Sequence, residues 1–428
     1  MHIFINALGA SAGAGLTYLR NVIPQFARVP GLTITLAAQS GVKLNFEAFE
    51  NVDVLSPAGR VNVARRFWFE QRELAACIKK TKADVLLSTG NFAVRRSPIP
   101  QILLSGNSLY VSSDFYRDLK FRRNYSILVN TLIRGFVAKR SVAWADCTVA
   151  PSEAFAQDLH RWTGREISVV HHGFDRETFF CAGKRLPNEV EEKLRKTEGS
   201  LRLLFVSHYN YYRNFETLLR SLPLIQEQLP NLKVKLFLTC KLEPGKNPGT
   251  YDPTFAARLI RELGIREMVE ELGAIPYDCL QYLYRACDLY VTAAYTETFA
   301  HPLVEAMASG LPVIASDLGV HREVCEDAAL YFPPFECGVL AKRVVTIAAR
   351  PDVRSRLVQA GAGRSGAFSW SQHVSDLLKI AEQLCRAPAF EKIPTPVISK
   401  TISGETPANG TLARLRSEAP LPARHRPY

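Results

Sequence analysis

The chain has 428 residues, of which 47% are hydrophobic and 22% charged, with a formal net charge of +12. Such a chain is long enough for two domains with substantial cores, and it contains no uninterrupted apolar run near the ~20 residues that a membrane-spanning helix needs. The N-terminus lacks the positively charged start of a signal peptide, and the nine cysteines include no CxxC pair, so neither a zinc site nor a disulfide framework is indicated. We therefore expect a globular protein of the reducing cytoplasm.

Strands and helices alternate along the chain, which predicts a doubly wound α/β architecture. In the first half, the predicted elements are the strands HIFINAL, ADVLLSTG, IPQILLSG and DCTVAPS and the helix LTYLRNVIPQFA. This half closes near Phe180, and the charged stretch KRLPNEVEEKLRKTEGS that follows is either a linker or the first helix of the second half. We place the domain boundary between 180 and 200.

The second half begins with LRLLFVSHYNYYRNFETLLRSLPLI, which predicts a strand, a loop and a helix. The predicted elements after it are KVKLFLTC, MVEELGAI, DLYVTAA, PVIASD and ALYFPP. From about residue 387 the chain loses clear apolar periodicity, and its last 42 residues carry seven of the 25 prolines. This composition predicts a disordered basic tail over 387–428.

Half of the excess positive charge lies in one segment, 115–140, with the sequence FYRDLKFRRNYSILVNTLIRGFVAKR. It holds seven Lys and Arg residues against one Asp, and apolar residues recur at helical spacing at Leu128, Leu132, Ile133 and Phe136. The segment is either an amphipathic surface that lies on an anionic membrane or an ordinary core helix with a solvated basic face. Nucleic acid is not expected as a partner, because no recognised binding motif accompanies the charge.

The stretch TETFAHPLVEAMASGLPVIASD, residues 296–317, places Glu297 and Glu305 eight positions apart. On one helix they would point about 80° apart, whereas Pro302 favours a helix that begins near it and stops at Gly310. With strands predicted on either side, Glu297 lies on the loop that leaves a strand and Glu305 lies just inside the next helix. Two carboxylates that accept hydroxyls, with free backbone N–H groups between them, suit a nucleotide sugar.

The same stretch resembles the signature of the retaining nucleotide-sugar glycosyltransferases of family 4. In that signature a glutamate, seven residues and a second glutamate precede a small-residue helix and a valine-rich strand ending in Ser-Asp. The resemblance extends over most of the chain, through VAPSEAFAQDL, VVHHGFDRETF, FVSHYNYYRNFETLL, LGAIPYDCLQYLYRACDLYVTAAYTETFAHPLVEAM and FSWSQHVSDLL. It implies the GT-B fold, in which two Rossmann-like doubly wound domains face each other across a cleft and a C-terminal helix returns to the first domain. The implied domains are 1–182 on the acceptor side, with the returning helix at about 368–386, and 196–367 on the donor side.

By this resemblance, Glu297 holds hydroxyls of the donor sugar and Glu305 holds the ribose. In SHYNYYRN the family usually has an arginine and, five residues later, a lysine, which together neutralise the donor pyrophosphate; here the two positions are His208 and Arg213. Arg213 keeps the charge and offers a bidentate fork, whereas His208 carries a charge at pH 7 only if the neighbouring diphosphate raises its pKa. The other implied donor contacts are Ser207 and the backbone of Thr298, Phe299, Ala300, His301 and Pro302.

The small-residue loop LGASAGAGLTYL, with Gly13 and Gly15, is expected on the acceptor side, facing the reacting sugar. The alternative is a tight turn with close packing. Many members of the family have a histidine at the tip of a first-domain strand. No histidine occurs between residues 3 and 159 here, and Asn107 or Ser105 is expected to fill that space.

His171 and His172 precede a glycine in HHGFD, at the position of an interdomain turn in the family. They serve either this turn or a metal site, but no third ligand is near in sequence, and the chain has no Asp-x-Asp pattern. No metal and no cofactor are therefore expected.

The expected function is transfer of a hexose from a nucleotide-diphosphate sugar to a hydroxyl of a glycan, lipid-linked or small-molecule acceptor, with retention of the anomeric configuration. The open alternatives are a sugar-nucleotide epimerase or a sugar-phosphate synthase on the same fold, and a catalytically silent partner subunit. We expect a role in polysaccharide biosynthesis in the cytoplasm. The membrane alternative for 115–140 places the protein at the inner face of the membrane.

Overall fold

The computed structural model describes residues 1–10, 14–39, 46, 49–56, 63–181 and 183–386. Within them lie two parallel β-sheets, one of seven strands and one of six. The predicted tail, 387–428, and Gly13 of the small-residue loop lie outside the described residues. No helix among the described residues is long and apolar enough to span a bilayer.

The first sheet has the strand order β3-β2-β1-β4-β5-β6-β7. Its strands are β1 His2–Asn6, β2 Thr33–Ala37, β3 Val52–Leu55, β4 Val85–Ser88, β5 Gln101–Leu104, β6 Cys147–Ala150 and β7 Ser168–Val169. The central strand β4 is buried along its whole length. Parallel strands with helices on both faces are apolar on both sides, which explains why these strands appear in the sequence as continuous apolar runs.

The second sheet has the order β10-β9-β8-β11-β12-β13. Its strands are β8 Leu201–Phe205, β9 Val234–Leu238, β10 Val269–Glu271, β11 Leu289–Thr292, β12 Val313–Ser316 and β13 Ala329–Phe332. Both β11 and β12 are buried throughout. These are the two strands that the sequence predicts on either side of the helix with Glu305.

Helices cover both sheets. The α-helices of the described residues are α1 Ala14–Ala27, α2 Val63–Arg72, α3 Leu74–Thr81, α4 Ser113–Phe121, α5 Tyr125–Trp144, α6 Glu153–Thr163, α7 Arg176–Phe179, α8 Asn188–Lys196, α9 Phe215–Gln228, α10 Thr254–Glu262, α11 Leu280–Arg285, α12 His301–Ala308, α13 Gly319–Cys325, α14 Cys337–Ala349, α15 Pro351–Ser365 and α16 Trp370–Arg386. The charged stretch after Phe180 therefore contains a helix, α8, rather than only a linker.

The order of each sheet reverses at one point, between β1 and β4 in the first sheet and between β8 and β11 in the second. In open α/β sheets, ligands bind outside the carboxyl ends of the strands at such a switch point. Arg213 follows β8, and Glu297 follows β11. The predicted donor residues therefore lie at the switch point of the second sheet.

The last described helix, α16, returns to the first sheet as predicted. It packs against α1, and its Trp370, Val374 and Leu377 belong to the same apolar core as residues of β1 and β2. The Tyr18 hydroxyl of α1 and His373 Nε2 of α16 lie within hydrogen-bonding distance, at 2.8 Å.

Polar contacts also join the two halves of the molecule. The Glu323 carboxylate of α13 accepts hydrogen bonds of 2.8 Å from the Glu153 and Ala154 amides. These amides lie at the start of α6, where the helix dipole favours a negative charge. Arg122, just after α4, donates to Glu216 of α9 at 2.9 Å.

The basic segment 115–140 forms most of α4 and most of α5. Leu128 is buried, but Leu132, Ile133 and Phe136 are 53%, 61% and 63% exposed. One face of α5 therefore packs against a core, as the core-helix alternative expects, while its solvated face carries three exposed apolar side chains.

Candidate active site

Two loops at the switch point of the second sheet carry the predicted donor residues. After β8, the chain passes Ser207 and His208 and forms a short 3₁₀ turn, Tyr211–Arg213, before α9 begins. After β11, the loop with Glu297 leads into α12, which begins at His301. This arrangement matches the loop and helix predicted around the two glutamates.

Hydrogen bonds fasten these two loops to each other. The Tyr295 amide donates to the Tyr212 carbonyl at 3.0 Å, and the Asn214 side chain donates to the Ala293 carbonyl at 3.0 Å. Asn214 has φ 54° at the start of α9, a left-handed conformation that asparagine adopts more readily than most residues. The bonds hold Arg213 against the second loop.

Arg213 and Glu297 form an ion pair, in which Arg213 Nη1 donates to Glu297 Oε2. Their side chains are 21% and 11% exposed, so the pair is largely desolvated. Burial favours a lower pKa for Arg213, but the Glu297 charge outweighs it and raises that pKa. Burial favours a higher pKa for Glu297, but Arg213 and the Thr298 amide, which donates to Glu297 Oε1 at 3.0 Å, lower it. Both groups are therefore charged at neutral pH.

Glu305 of α12 is more deeply buried, with 5% of the residue exposed. Its Oε2 accepts a hydrogen bond of 2.8 Å from the Tyr284 hydroxyl of α11. Burial raises the pKa of Glu305 to about 7, and the bond from Tyr284 offsets only part of that rise. A pKa this high leaves the carboxyl predicted to hold the ribose partly protonated near neutral pH, and one of its oxygens has a partner within the protein.

The start of α12 is formed by a strained turn. Ala300 precedes the helix with φ 66°, a left-handed conformation that costs a residue with a Cβ about 1 kcal/mol or more. Phe299 is buried, and Pro302 lies in the first helical turn. Proline removes none of the hydrogen bonds of a first turn, and the N–H groups that remain free there favour an anion.

His208 and Ser207 lie at the end of β8. The Ser207 amide donates to Thr239 Oγ1 at 2.9 Å, and the Ser207 hydroxyl donates to the His208 carbonyl at 2.7 Å. Partial desolvation and the nearby Arg213 charge lower the pKa of His208. In the unliganded molecule His208 is therefore neutral at pH 7, and the fixed positive charge here belongs to Arg213.

A cluster of stacked rings lies where the two halves meet. The rings of His301, His172 and Trp370 pack against one another, with centroid distances of 5.1 Å for His301 and His172, 5.9 Å for His301 and Trp370, and 5.5 Å for His172 and Trp370. His373 packs edge-on to Trp370 at 5.3 Å. Burial lowers the pKa of His301 and of His373 to about 4, and that of His172 well below its ordinary value. All three rings are neutral at pH 7 and act as packing surfaces.

His171 contacts a different partner. Its Nε2 lies 2.7 Å from Glu323 Oε1, across the junction between the halves. Within the part of the chain that the structure describes, no three His, Cys, Asp or Glu side chains are grouped closely enough to hold a metal ion. Both histidines of HHGFD therefore contribute to the junction.

A cavity of about 260 Å³ opens at the carboxyl edge of the first sheet. It includes the loops after β1 and β4, so it lies at the switch point of that sheet. The lining residues are Gly9, Ala10, Gly15, Tyr18, Arg66, Thr89, Gly90, Asn91, Leu104, Ser105, Gly106, Arg134, Val149, Ala150, Pro151, Val170, His172 and His373. Because His172 lines this cavity and also stacks on His301, the cavity lies beside the start of α12.

The predicted acceptor-side residues differ in their relation to this cavity. Gly15 lines it, and a Cβ at Gly15 would lie 3.1 Å from the Ala10 Cβ, so the loop also packs closely. Ser105 lines the cavity as well. Asn107 is not among the lining residues; its side chain accepts a hydrogen bond of 3.1 Å from the Leu109 amide and caps a 3₁₀ turn.

Sequence reasoning did not single out Tyr284, the hydrogen-bond partner of Glu305, or the cavity-lining residues Arg66 and Arg134. Tyr284 lies 21 positions before Glu305, and only the packing of α11 on α12 brings the two together. The sequence presents Arg134 only as one charge of the basic segment. Nothing in the sequence around Arg66 distinguishes it from a surface arginine of an amphipathic helix.

Two family models match this chain. Residues 188–364 match the glycosyl transferases of group 1, and residues 17–178 match glycosyltransferase family 4. The D-inositol 3-phosphate glycosyltransferase 2 of Catenulispora acidiphila is 30% identical over 178 residues, which is 41% of each chain. The D-inositol 3-phosphate glycosyltransferase of Nocardiopsis dassonvillei is 26% identical over 261 residues, 58% of each chain. The chain thus spans about half the length of the curated relatives it matches.

Solved structures share the whole architecture. The sucrose-phosphate synthase of Thermosynechococcus elongatus superposes with a TM-score of 0.68 at 19% identity, over 90% of this chain and 99% of that one. Anabaena HepE, in complex with UDP-glucose, superposes with a TM-score of 0.65 at 18% identity, over 90% of this chain and 100% of that one. These likenesses, together with the two parallel sheets, confirm the predicted two-domain GT-B fold.

Proposed function

We propose, from the premise that this chain belongs to the group 1 and family 4 glycosyltransferases, that it transfers a hexose from a nucleotide-diphosphate sugar to an acceptor hydroxyl. One observation carries the proposal. The charged pair of Arg213 and Glu297, together with Glu305, lies at the switch point of one sheet. A cavity lies at the switch point of the other sheet, and His172 and His301 stack between them.

The proposed reaction retains the anomeric configuration and needs no metal. Arg213 and the free N–H groups at the start of α12 stabilise the negative charge that develops on the departing diphosphate. Glu297 orients Arg213 and accepts hydroxyls of the sugar, and Glu305 accepts those of the ribose. The acceptor hydroxyl attacks from the face that the diphosphate leaves, where the cavity of the first sheet opens.

Nucleotide binding is the first test. UDP, GDP, ADP and their hexose conjugates are compared by thermal shift with and without EDTA. A ligand at 100 times its dissociation constant adds ~2.7 kcal/mol of apparent stability, which is enough to rank the bases. Because HepE is a UDP-glucose complex, UDP-glucose is the first donor to screen. Failure of every nucleotide to stabilise the protein would refute the proposal and favour a silent partner subunit.

Product analysis separates the remaining enzymes of this fold. Free nucleoside diphosphate that appears only when an acceptor is added supports glycosyl transfer, whereas conversion of the sugar nucleotide without an acceptor identifies an epimerase. NMR of the new glycosidic bond gives its configuration. An inverted product would overturn the retaining assignment.

The exposed face of α5 supports a further part of the proposal, contact with an anionic membrane. Tyr125, Val129, Leu132, Ile133 and Phe136 are all more than half exposed, and their spacing of four, three, one and three residues places them along one side of a helix. Large apolar side chains gathered on one exposed face mark an interaction surface. We call these five residues the α5 stripe.

The charge of the segment 115–140 supports anionic lipid as the partner of the α5 stripe. Arg122 is bound by Asp118 at 2.8 Å and Glu216 at 2.9 Å, so it is not available to lipid. The exposed basic residues of the segment are Arg117, Lys120, Arg123, Arg134, Lys139 and Arg140, of which Arg117 pairs with Asp114 at 3.0 Å. Each basic residue near an anionic surface contributes ~1 kcal/mol at low salt, and the attraction fades as salt is added. The proposed location is therefore the cytoplasmic face of a membrane, with a role in making a surface polysaccharide.

Vesicle sedimentation tests this placement. The protein should sediment with anionic vesicles at low salt, less so at high salt, and not with neutral vesicles. The double variant Ile133→Ser, Phe136→Ser should lose the binding, while Val54→Ser, a change at another exposed apolar residue, should keep it. No sedimentation with anionic vesicles at low salt would end the membrane assignment and favour a soluble acceptor.

A further inference from the structure

The cavity of the first sheet has a one-sided charge. Among the described residues that line it, two are arginines, Arg66 and Arg134, and none is an aspartate or glutamate. The other titratable side chains in its wall are Tyr18, His172 and His373. Burial raises the pKa of the tyrosine and lowers those of the histidines, so all three are neutral near pH 7. The fixed charge that a ligand meets in this wall is positive.

The Arg66 side chain forms an ion pair with Glu70, and it keeps an N–H group that a ligand can use. Its side chain is 13% exposed, and its Nε lies 3.8 Å from Glu70 Oε1, one turn further along α2. That distance is an ion pair without a hydrogen bond. The buried Arg66 Nε has no hydrogen-bond partner among the residues that the structure describes. A buried donor of this kind is costly unless a ligand or water satisfies it.

Arg134 approaches the same cavity from α5. It is exposed, and its guanidinium carbon lies 5.9 Å from the centre of the Phe92 ring. On α5 it directly follows Ile133 of the α5 stripe. The cavity therefore has one arginine in its wall and a second on the helix that carries the proposed lipid-facing residues.

Neutral hydrogen-bonding groups complete the lining. Thr89, Asn91 and Ser105 follow β4 and β5, and Asn91 Oδ1 accepts a hydrogen bond of 2.7 Å from the Gly106 amide, which ties the two loops together. Such groups bind sugar hydroxyls, whereas two guanidinium groups bind an oxyanion by charge-assisted, bidentate hydrogen bonds.

We propose that the acceptor is a phosphorylated compound, whose phosphate oxygens are bound by Arg66 and Arg134 in the cavity of the first sheet. This inference rests on the proposed glycosyl transfer, and it adds the chemical class of the acceptor. A free sugar phosphate and the phosphate of a lipid-linked sugar present the same group to these arginines. The position of Arg134 beside the α5 stripe suits either source.

Binding is measured with the donor site blocked by saturating nucleoside diphosphate, because Arg213 also attracts phosphate. A hexose phosphate should stabilise the wild-type protein, and the matching free hexose should not. Arg66→Gln and Arg134→Gln should each weaken hexose phosphate binding by about 10- to 100-fold. Arg66→Lys and Arg134→Lys should recover part of the loss. Lys79→Gln removes an exposed positive charge from α3 in the same half, outside the cavity wall, and should leave hexose phosphate binding unchanged.

The result separates this inference from the proposed function. If no nucleoside diphosphate binds, the proposed function fails first. If the nucleotide binds and the hexose and its phosphate bind alike, or the Arg→Gln variants bind the phosphate as the wild type does, the phosphate site is wrong while glycosyl transfer stands. A loss of nucleotide binding in the Arg→Gln variants would also overturn the assignment, because it would place the arginines in the donor site.

Transfer assays then compare the two sources of phosphate. A water-soluble hexose phosphate and a short-chain polyprenyl-diphosphate sugar are offered with the same donor. Acceptance of either, with a KM for the acceptor that rises in Arg66→Gln while the KM for the donor stays constant, supports the inference. Only the lipid-linked acceptor should lose activity in the Ile133→Ser, Phe136→Ser variant. Transfer only to uncharged acceptors would overturn the phosphate site.

Discussion

The two switch points of this molecule differ in the charged side chains that surround them. In the second sheet, Arg213 is paired with Glu297, and Glu305 is hydrogen-bonded to Tyr284. In the first sheet, the described residues of the cavity wall include two arginines and no acidic residue, and the carboxylate that pairs with Arg66, Glu70, lies outside that wall at 3.8 Å. At the second sheet, the charged groups already have partners before a ligand binds. At the first sheet, the two arginines in the cavity wall remain available to an anionic ligand.

This difference follows from what each side is proposed to hold. A donor carries a diphosphate beside neutral hydroxyls, so its site needs a cation and carboxylates at fixed positions relative to each other. Electrostatic groups that are already oriented need no reorganisation when charge develops on the leaving group. The acceptor's charge stays the same throughout the reaction, so that site only has to bind it.

The largest expected effect is at Arg213. Arg213→Ala should lower turnover by about one to three decades. A hydrogen-bond donor that is already oriented toward the charge developing in the transition state contributes ~2.7–4 kcal/mol. Arg213→Lys should restore much of the loss, since it keeps the charge. Steady-state kinetics at saturating donor measure it, with Arg322→Ala as the control. Arg322 forms an exposed ion pair with Asp317 in the same half.

Unchanged turnover in Arg213→Ala would remove this residue from the mechanism and weaken the contrast between the two sides. Because the alanine variant leaves Glu297 partly buried without a partner, its free energy of unfolding is measured as well. If turnover is lost in Arg213→Ala and fully restored in the double variant Arg213→Ala, Glu297→Ala, the loss is caused by the unpaired Glu297 carboxylate.

The next effect tests whether the two sides depend on the junction between them. A Cβ at Gly173 would lie 2.1 Å from the Trp370 amide nitrogen, where α16 begins. Gly173→Ala should therefore cost about 3 kcal/mol of the free energy of unfolding, since neither backbone can move without disturbing the stacked histidines. Gly363→Ala is the matched control. It lies exposed inside α15, where an added Cβ would meet no neighbouring group within 4 Å, and the change should gain up to about 1 kcal/mol.

Denaturant unfolding of the three proteins, wild type, Gly173→Ala and Gly363→Ala, gives these values. A cost below about 1 kcal/mol at Gly173, within the ordinary range of surface changes, would show that the turn and α16 separate easily. The junction would then not fix the cavity relative to the donor loops.

The sequence predicted the local arrangement of the proposed donor residues better than that of the cavity, for a physical reason. Glu297, Pro302 and Glu305 lie within nine residues, and local rules for loops and helix starts place them correctly. The pairing of Arg213 with Glu297 needs β8 beside β11, which strand order alone decides. The cavity of the first sheet is assembled from segments as distant as Gly9 and His373, so no local pattern reveals it.

A third prediction distinguishes the two glutamates of the donor side. Glu305→Ala should weaken binding of the bare nucleoside diphosphate by about 10- to 100-fold, because it removes an acceptor of charge-assisted hydrogen bonds from the ribose. Glu297→Ala should mainly lower turnover. It leaves Arg213 without its partner, so the attraction of Arg213 for phosphate is undiminished. Isothermal titration calorimetry of both variants decides the matter. Equal weakening in the two variants would make the assignment of ribose and sugar wrong.

The smallest effect is the pH dependence of donor affinity, which follows from the raised pKa of Glu305. That pKa is about 7 in the unliganded molecule. A ribose hydroxyl that donates to the carboxylate favours its ionised form and lowers the pKa in the complex. Below pH 7 the free protein therefore binds more protons than the complex does, and lowering the pH opposes binding.

Affinity for a nucleotide sugar, whose phosphates do not titrate in this range, should hence be constant above about pH 7 and fall by up to about tenfold per pH unit below it. Titrations between pH 6 and 8 measure the change. His208 acts in the opposite direction, since its protonation adds positive charge, but its lowered pKa confines that effect to the acidic end. Glu305→Gln has the same shape and no titrating proton, so its affinity should be weak and independent of pH. The same pH dependence in Glu305→Gln would assign the effect to another group and remove Glu305 from the donor site.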